Sequence, residues 1–190
     1  MPEQIRCDWA NGSELERAYH DTVWGVPEHD DKQLFKMLCL ESMQAGLSWS
    51  LILRRMEGLS AAFDNFDPVK LRRYDAGKIE ALLQDARIIR NRKKIEAVIH
   101  NAGCYFDVVE RYGSLDHFLW SYVEGVPIVG NRATKAEVPA TTPLSDRLSK
   151  DLKKLGFKFV GSTTVYAFMQ AVGMVNDHLV NCAFYSVPEK

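Results

Sequence analysis

Apolar residues in this chain recur at helical spacing, and no stretch alternates as a half-buried strand would. Glycines and capping residues cut the pattern into lengths. Residues 31–45 read as one amphipathic helix, stopped by Gly46 in the manner of a glycine just past a C-terminus. In "FDPVKL", Asp67 reads as an N-cap and Pro68 as the first helical position, where its missing N–H does no harm. The stretch 78–102 gives two helices joined by a tight connection near residues 85–90. Three prolines, two glycines and a Thr-Thr pair mark residues 125–143 as a linker or long loop. Two more helices follow, over about 145–155 and 163–172, closed by Gly156 and Gly173. The expected fold class is all-α.

One residue conflicts with this scheme. Leu34, Leu38, Glu41 and Ala45 fall at offsets of four, three and four, so Glu41 shares a face with the core residues. An unpartnered polar group there costs roughly 2 to 7 kcal/mol, and a charge costs more. Read from the residues alone, Glu41 is a buried structural acid that bridges to a helix N-terminus or an arginine, unless a function holds it there.

The 190 residues, 46% of them hydrophobic, suffice for a sizeable core, as one domain or as two lobes sharing a chain. No run reaches the 18 or so apolar residues of a membrane span, and "MPEQIRCDWANGSE" lacks the apolar segment of a signal peptide, so a cytoplasmic protein without a membrane partner is expected. No amphipathic helix is left over to pair with a second copy, and a monomer is the default. A net charge of −1 counts against a dedicated DNA coat but leaves room for a small basic footprint.

Four scattered cysteines do not make a disulfide framework. Near one end, "NDHLVNC" sets His178 and Cys182 four apart, the spacing of one face of a helical turn. Near the other, Cys7 and His20 lie thirteen apart, enough chain to close on the same point. Two thiolates and two imidazoles would form a closed four-coordinate zinc site that staples and does not catalyse. The same four residues read equally as unrelated core positions. Cys39 and Cys104 have no nearby histidine and read as core packing.

Five of the eight residues in "RIIRNRKK", from Arg87 to Lys94, are basic, at the connection between two helices where backbone N–H groups could meet a phosphate. Lys150, Lys153, Lys154 and Lys158 form a second cluster. Either cluster also reads as a solvated helix face. Tyr19, Trp24 and Trp49 lie in polar or glycine-containing stretches rather than in apolar runs, which suits a pocket that stacks flat groups.

Taken together, "AYHDTVWGVP", "LFKMLCLESMQAGLSW", "FDPVKL", "IIRNRKKIEAVIHNA", "FLWSYV", "TPLSDRLSKDLKKLGFKFVG" and "FMQAVGMVNDHLVNC" resemble the 3-methyladenine DNA glycosylase I family of the helix–hairpin–helix superfamily, in its order and near its spacing. The resemblance covers essentially the whole chain. It implies a helix–hairpin–helix subdomain over 26–112 and a terminal subdomain, 1–25 with 113–190, joined by a structural zinc on Cys7, His20, His178 and Cys182. It implies that Glu41, with Tyr19, Trp24 and Trp49, lines the pocket for the damaged base. Gly46 and Leu47 match the segment that approaches the gap in the duplex, and Arg90, Arg92 and Lys93 fall in the hairpin as DNA contacts. The implied activity is hydrolytic excision of 3-methyladenine from double-stranded DNA. The lysine nucleophile and helical aspartate of other branches have no counterpart, so no strand cleavage is expected.

Two positions depart from the family pattern. Glu16 stands where an aromatic usually precedes the pocket tyrosine by three residues. Arg87 stands where the hairpin commonly has glycine, so a positive φ there would be strained. Two rival functions remain. A zinc hydrolase or deaminase needs an open metal position and a His-x-Glu with Pro-Cys-x-x-Cys signature, and neither pattern occurs. A non-catalytic DNA-binding module differs by releasing no base.

Overall fold

The computed structural model describes residues 4–185. Residues 1–3 and 186–190, part of the expected terminal subdomain, lie outside the described residues. The α-helices are α1 (Glu14–Thr22), α2 (Asp31–Gln44), α3 (Trp49–Ala62), α4 (Pro68–Leu71), α5 (Ala76–Gln84), α6 (Arg92–Tyr112), α7 (Leu115–Trp120), α8 (Pro143–Lys154) and α9 (Ser162–Ala171). The side chains of Ser13, Asp30, Ser48, Asp67, Asp75, Asn91, Ser114 and Thr142 each accept from a backbone N–H in the first turn of the helix they precede. Such caps contribute about 0.5 to 2 kcal/mol apiece and fix where each helix begins.

The helix over 31–45 forms as expected, and Gly46 follows it with φ +77. It is not amphipathic in its setting. Leu34, Phe35, Leu38, Cys39, Leu40, Glu41, Ser42 and Met43 are all buried, because α3, α6, α7 and α9 pack around α2. A helix covered on nearly every side belongs to the centre of a core. Its start is tied down by Asp31, whose carboxylate accepts from Leu115 N at 3.0 Å and Asp116 N at 2.8 Å.

Two details differ from the sequence reading, and a third point it raised is answered. First, α6 does not end near residue 102 but continues to Tyr112, where Gly113 takes φ +90. Asn101 does not break it, because its amide is engaged across the fold, accepting from Lys158 N at 2.8 Å and donating to Lys158 O at 3.1 Å. Second, the all-α class holds, but its long loop is not wholly irregular. Within the loop of residues 125–143, β1 (Ile128–Val129) pairs in parallel with β2 (Val175–Asn176), in register Ile128↔Val175. Strands of two residues are too short to leave an alternating pattern. Third, Arg87 is not among the residues with positive φ. Asp85 accepts from its backbone N and its Nε, both at 2.9 Å, and room for it comes from Gly58, where a Cβ would meet Arg87 O at 2.8 Å.

Among the described residues no helix is long and apolar enough to cross a membrane.

Candidate active site

Glu41 lies on the last full turn of α2 and is 4% exposed. It does not bridge to an arginine or a helix terminus. Burial alone pushes its carboxyl up to about 8, with no hydrogen bond or opposite charge contributing. What it faces is a cavity of about 430 Å³, whose lining also includes Trp9, Tyr19, Trp24, Gln44 and Trp49. A buried acid held at the wall of an aromatic cavity, with no partner supplied by the fold, marks a candidate binding site.

Three elements bring these side chains together. Tyr19 comes from α1, Glu41 from α2 and Trp49 from the first turn of α3. The Tyr19 and Trp49 rings lie 5.1 Å apart at 49°, and Trp9 stands edge-on to Trp24 at 5.1 Å. Burial, with the neighbouring Glu41 adding to it, raises the Tyr19 phenol well above its ordinary range. Trp49 Nε1, a donor with no exposed surface, has no hydrogen-bond partner.

The four candidate metal ligands also meet. Cys7, His20, His178 and Cys182 are all buried, and their donor atoms lie within 4.8 Å of one another. Cys182 Sγ is 3.5 Å from His20 Nε2 and 3.5 Å from His178 Nδ1, and Cys7 Sγ is 3.8 Å from His178 Nδ1. Tetrahedral coordination with metal–sulfur near 2.3 Å and metal–nitrogen near 2.0 to 2.1 Å requires sulfur–nitrogen edges of about 3.6 Å. The donor set therefore fits a four-coordinate metal. Outer contacts fix the rings, with His20 Nδ1 2.8 Å from Asp21 Oδ1 and His178 Nε2 3.1 Å from Trp24 O. Burial pulls the His178 imidazole down to about 4, which keeps it in the neutral form that ligates.

The route to that geometry corrects the sequence reading. His178 and Cys182 are not on a helical turn. Gly173, φ +73, ends α9 under the backbone of Val26, which a Cβ there would meet at 2.5 Å. The chain then extends through β2 and an isolated bridge between Arg132 and Leu179, and it turns back with Cys182 N donating to Leu179 O at 2.8 Å. Cys7 lines the aromatic cavity too, beside Leu179, so one of the four candidate ligands lies at the pocket wall.

The chain matches the family model described as "Methyladenine glycosylase" over residues 9–186. It is 50% identical over 180 residues to DNA-3-methyladenine glycosylase 1 of Escherichia coli, covering 95% of this chain and 96% of that protein. The chain belongs to the methyladenine glycosylase family. Among solved members, a crystal structure of 3-methyladenine DNA glycosylase I superposes with a TM-score of 0.93 at 46% identity, covering 96% of this chain and 100% of that one. A variant of such a glycosylase in complex with 3-methyladenine gives 0.91 at 39% identity, over 94% and 96% of the two chains.

Within this family frame, the remaining sequence candidates separate. Gly46 and Leu47 form the turn after α2, closed by Leu47 N donating to Gln44 O at 2.6 Å and Gln44 Nε2 donating to Leu47 O at 2.8 Å. Arg90 and Lys93 are exposed beside the start of α6. Arg92 is exposed but bound at 2.6 Å to Glu80, with Glu96 at 3.8 Å. Glu16 is at the cavity wall, its carboxylate accepting from Ser13 Oγ at 2.9 Å. Sequence reasoning missed Trp9, Gln44, Gln170 and Asp177, which also line the cavity. It counted Lys94 among the surface cations, whereas Lys94 is 7% exposed and points inward.

Proposed function

We propose that this protein is a monofunctional DNA glycosylase that extrudes 3-methyladenine from alkylated duplex DNA and hydrolyses its bond to the sugar, as the first step of base excision repair. The observation that carries this reading is Glu41, kept dry and unpaired at the wall of an aromatic cavity large enough for a purine.

The chemistry follows from the charge on the lesion. Methylation at N3 makes the base a cation and weakens its bond to the sugar. When the C1′–N9 bond breaks, its electron pair neutralises the base. Water then adds to the oxocarbenium-like C1′ and gives up a proton, leaving an abasic site and an intact strand. The enzyme's main task is to hold an extruded nucleotide, at an unstacking cost of a few kcal/mol that is lower for damaged bases. Trp49 and Tyr19 offer stacking faces, and a cationic ring over an indole gains roughly 0.5 to 2 kcal/mol that a neutral adenine does not. Glu41 accepts from the adenine edge and supplies the counter-charge. A cation arriving beside it favours loss of the carboxyl proton, against the burial that retains it. Trp24 completes the pocket.

Zinc is the metal we assign to Cys7, His20, His178 and Cys182, since two thiolates balance its charge and four protein ligands leave no position for water. Its contribution is structural. In this reading residues 26–112 form the helix–hairpin–helix subdomain, residues 1–25 and 113–190 the terminal one, and the enzyme acts as a cytoplasmic monomer. Gly46 and Leu47 enter the duplex, while Arg90, Arg92 and Lys93 contact its backbone.

Incubating the protein with a duplex rich in 3-methyladenine and separating free base by chromatography tests the proposal. Release of 3-methyladenine, with the strand intact until alkali is added, is expected. A folded protein that binds the duplex and releases nothing is instead a DNA-binding module.

A further inference from the structure

Lys94 is a cation where the fold has no surface. It sits in the first turn of α6, among Arg90, Arg92 and Lys93, yet it is buried, and its Nζ donates to Met43 O at 2.7 Å and Ala45 O at 2.6 Å. Both acceptors are carbonyls at the C-terminal end of α2, where a helix runs out of its own donors. Leu47 N, which a continuing helix would direct to Met43 O, goes to Gln44 O instead. A positive charge at that end also meets the negative pole of the α2 dipole. One side chain therefore ties the hairpin helix to the segment that carries Glu41 before it and Gly46, Leu47 and Trp49 after it.

The arrangement is specific to this position. Gly46 has φ +77 and is exposed, and a Cβ there would meet nothing, so at that position no side chain packs the turn. Its conformation depends on the Gln44 bonds within it and on Lys94 behind it. Glu41 is different, because it lies a turn earlier in a helix gripped by α3, α6, α7 and α9.

We infer that Lys94 is a positioning residue for base extrusion: by holding Met43 O and Ala45 O it sets the Gly46–Leu47 turn against the hairpin that grips the duplex. The inference rests on the glycosylase reading for its functional part. Its structural part stands apart from that reading.

Amide hydrogen exchange over residues 44–48 comes first. Lys94→Met, nearly the same length without the donors, is expected to speed exchange there about tenfold while leaving mid-α2 unchanged. No change in a folded variant overturns the inference, whatever the enzyme does. With wild-type protein shown to release 3-methyladenine, Lys94→Met then loses about tenfold or more in the single-turnover rate at saturating duplex. Its affinities for duplex and for free 3-methyladenine stay within about threefold, and the fluorescence rise of a 2-aminopurine placed beside the lesion is blunted. Lys94→Arg, which keeps the charge and donors in a less suitable shape, shows the same pattern at about threefold. A loss wholly in duplex affinity, with a shallower salt dependence, makes Lys94 a phosphate contact and overturns the proposal. A loss that only tracks the folded fraction also overturns it. So does an unfolded Lys94→Met paired with a wild-type rate in Lys94→Arg. If wild type releases no base but exchange responds, the glycosylase reading fails while the clamp stands.

Discussion

Glu41 carries an acid whose burial costs stability, and the sign of that cost can be tested. Its folded-state carboxyl titrates near 8 against an ordinary 4.5. Between those values the unfolded chain has lost the proton and the folded chain retains it, so stability falls as pH rises through the window. At about 1.4 kcal/mol per unit, the penalty approaches 5 kcal/mol above pH 8 as an upper bound. Glu41→Gln removes it. Urea denaturation is expected to show the variant equal to wild type near pH 4.5 and increasingly more stable toward pH 8. The same variant is expected to lose excision by about a hundredfold or more. A Gln variant that is less stable at pH 8, or that turns over normally, refutes the role given to this carboxylate. The conflict was legible in the sequence, because three apolar partners at helical offsets fixed the face on which Glu41 lies. Trp9 was not legible, since it sits in a short non-periodic segment where spacing carries no direction. Lys94 was misread for the opposite reason: its exposed neighbours made it look like one more solvated charge.

At the level of elements, the hairpin between α5 and α6 divides its cations by what they already hold. Arg87 is spent on Asp85 and Arg92 on Glu80 and Glu96. Arg90 and Lys93 stand exposed at the start of α6 with no such ion pairs among the described residues. A phosphate contact displaces about 0.9 counterions, so Arg90→Ala and Lys93→Ala are each expected to lower the slope of log affinity against log salt by about one. Arg92→Ala is expected to change it by less, because its charge is already balanced within the chain. Binding titrations of an undamaged duplex at several salt concentrations check this, and a largest effect at Arg92 contradicts it. The helix start at Pro68 was legible because Asp67 has a side chain that caps, whereas Asp75 and Asn91 cap in the same way without having been singled out. Helix lengths were less so. The ten extra residues of α6 depend on Asn101 finding Lys158, a partner 57 positions away that no local pattern can announce.

For the molecule as a whole, Cys7 and His20 from one end region meet His178 and Cys182 from the other, although sequence spacing suggested the wrong local structure for the last pair. Residue type and spacing made the set a candidate, and the family resemblance is what singled it out over unrelated core positions. The extended path through β2 was not, since it is fixed by pairing with Ile128 and Val129, nearly fifty residues earlier. A structural zinc on these four ligands would make its binding energy folding energy as well. Cys182→Ser, which removes a ligand but little volume, is then expected to lower bound zinc and to reduce stability by several kcal/mol, seen as a drop in melting temperature. Because Cys7, one of the four, lines the cavity proposed for the base, the variant is also expected to weaken binding of free 3-methyladenine. Cadmium, with a similar liking for thiolates, is expected to restore both the fold and most of the excision when it replaces zinc. Chemistry that ran through a metal-bound water would respond quite differently, with folding recovered and turnover altered in rate and pH profile. Measuring metal content, melting temperature and excision on the same zinc and cadmium samples separates the staple from the catalyst.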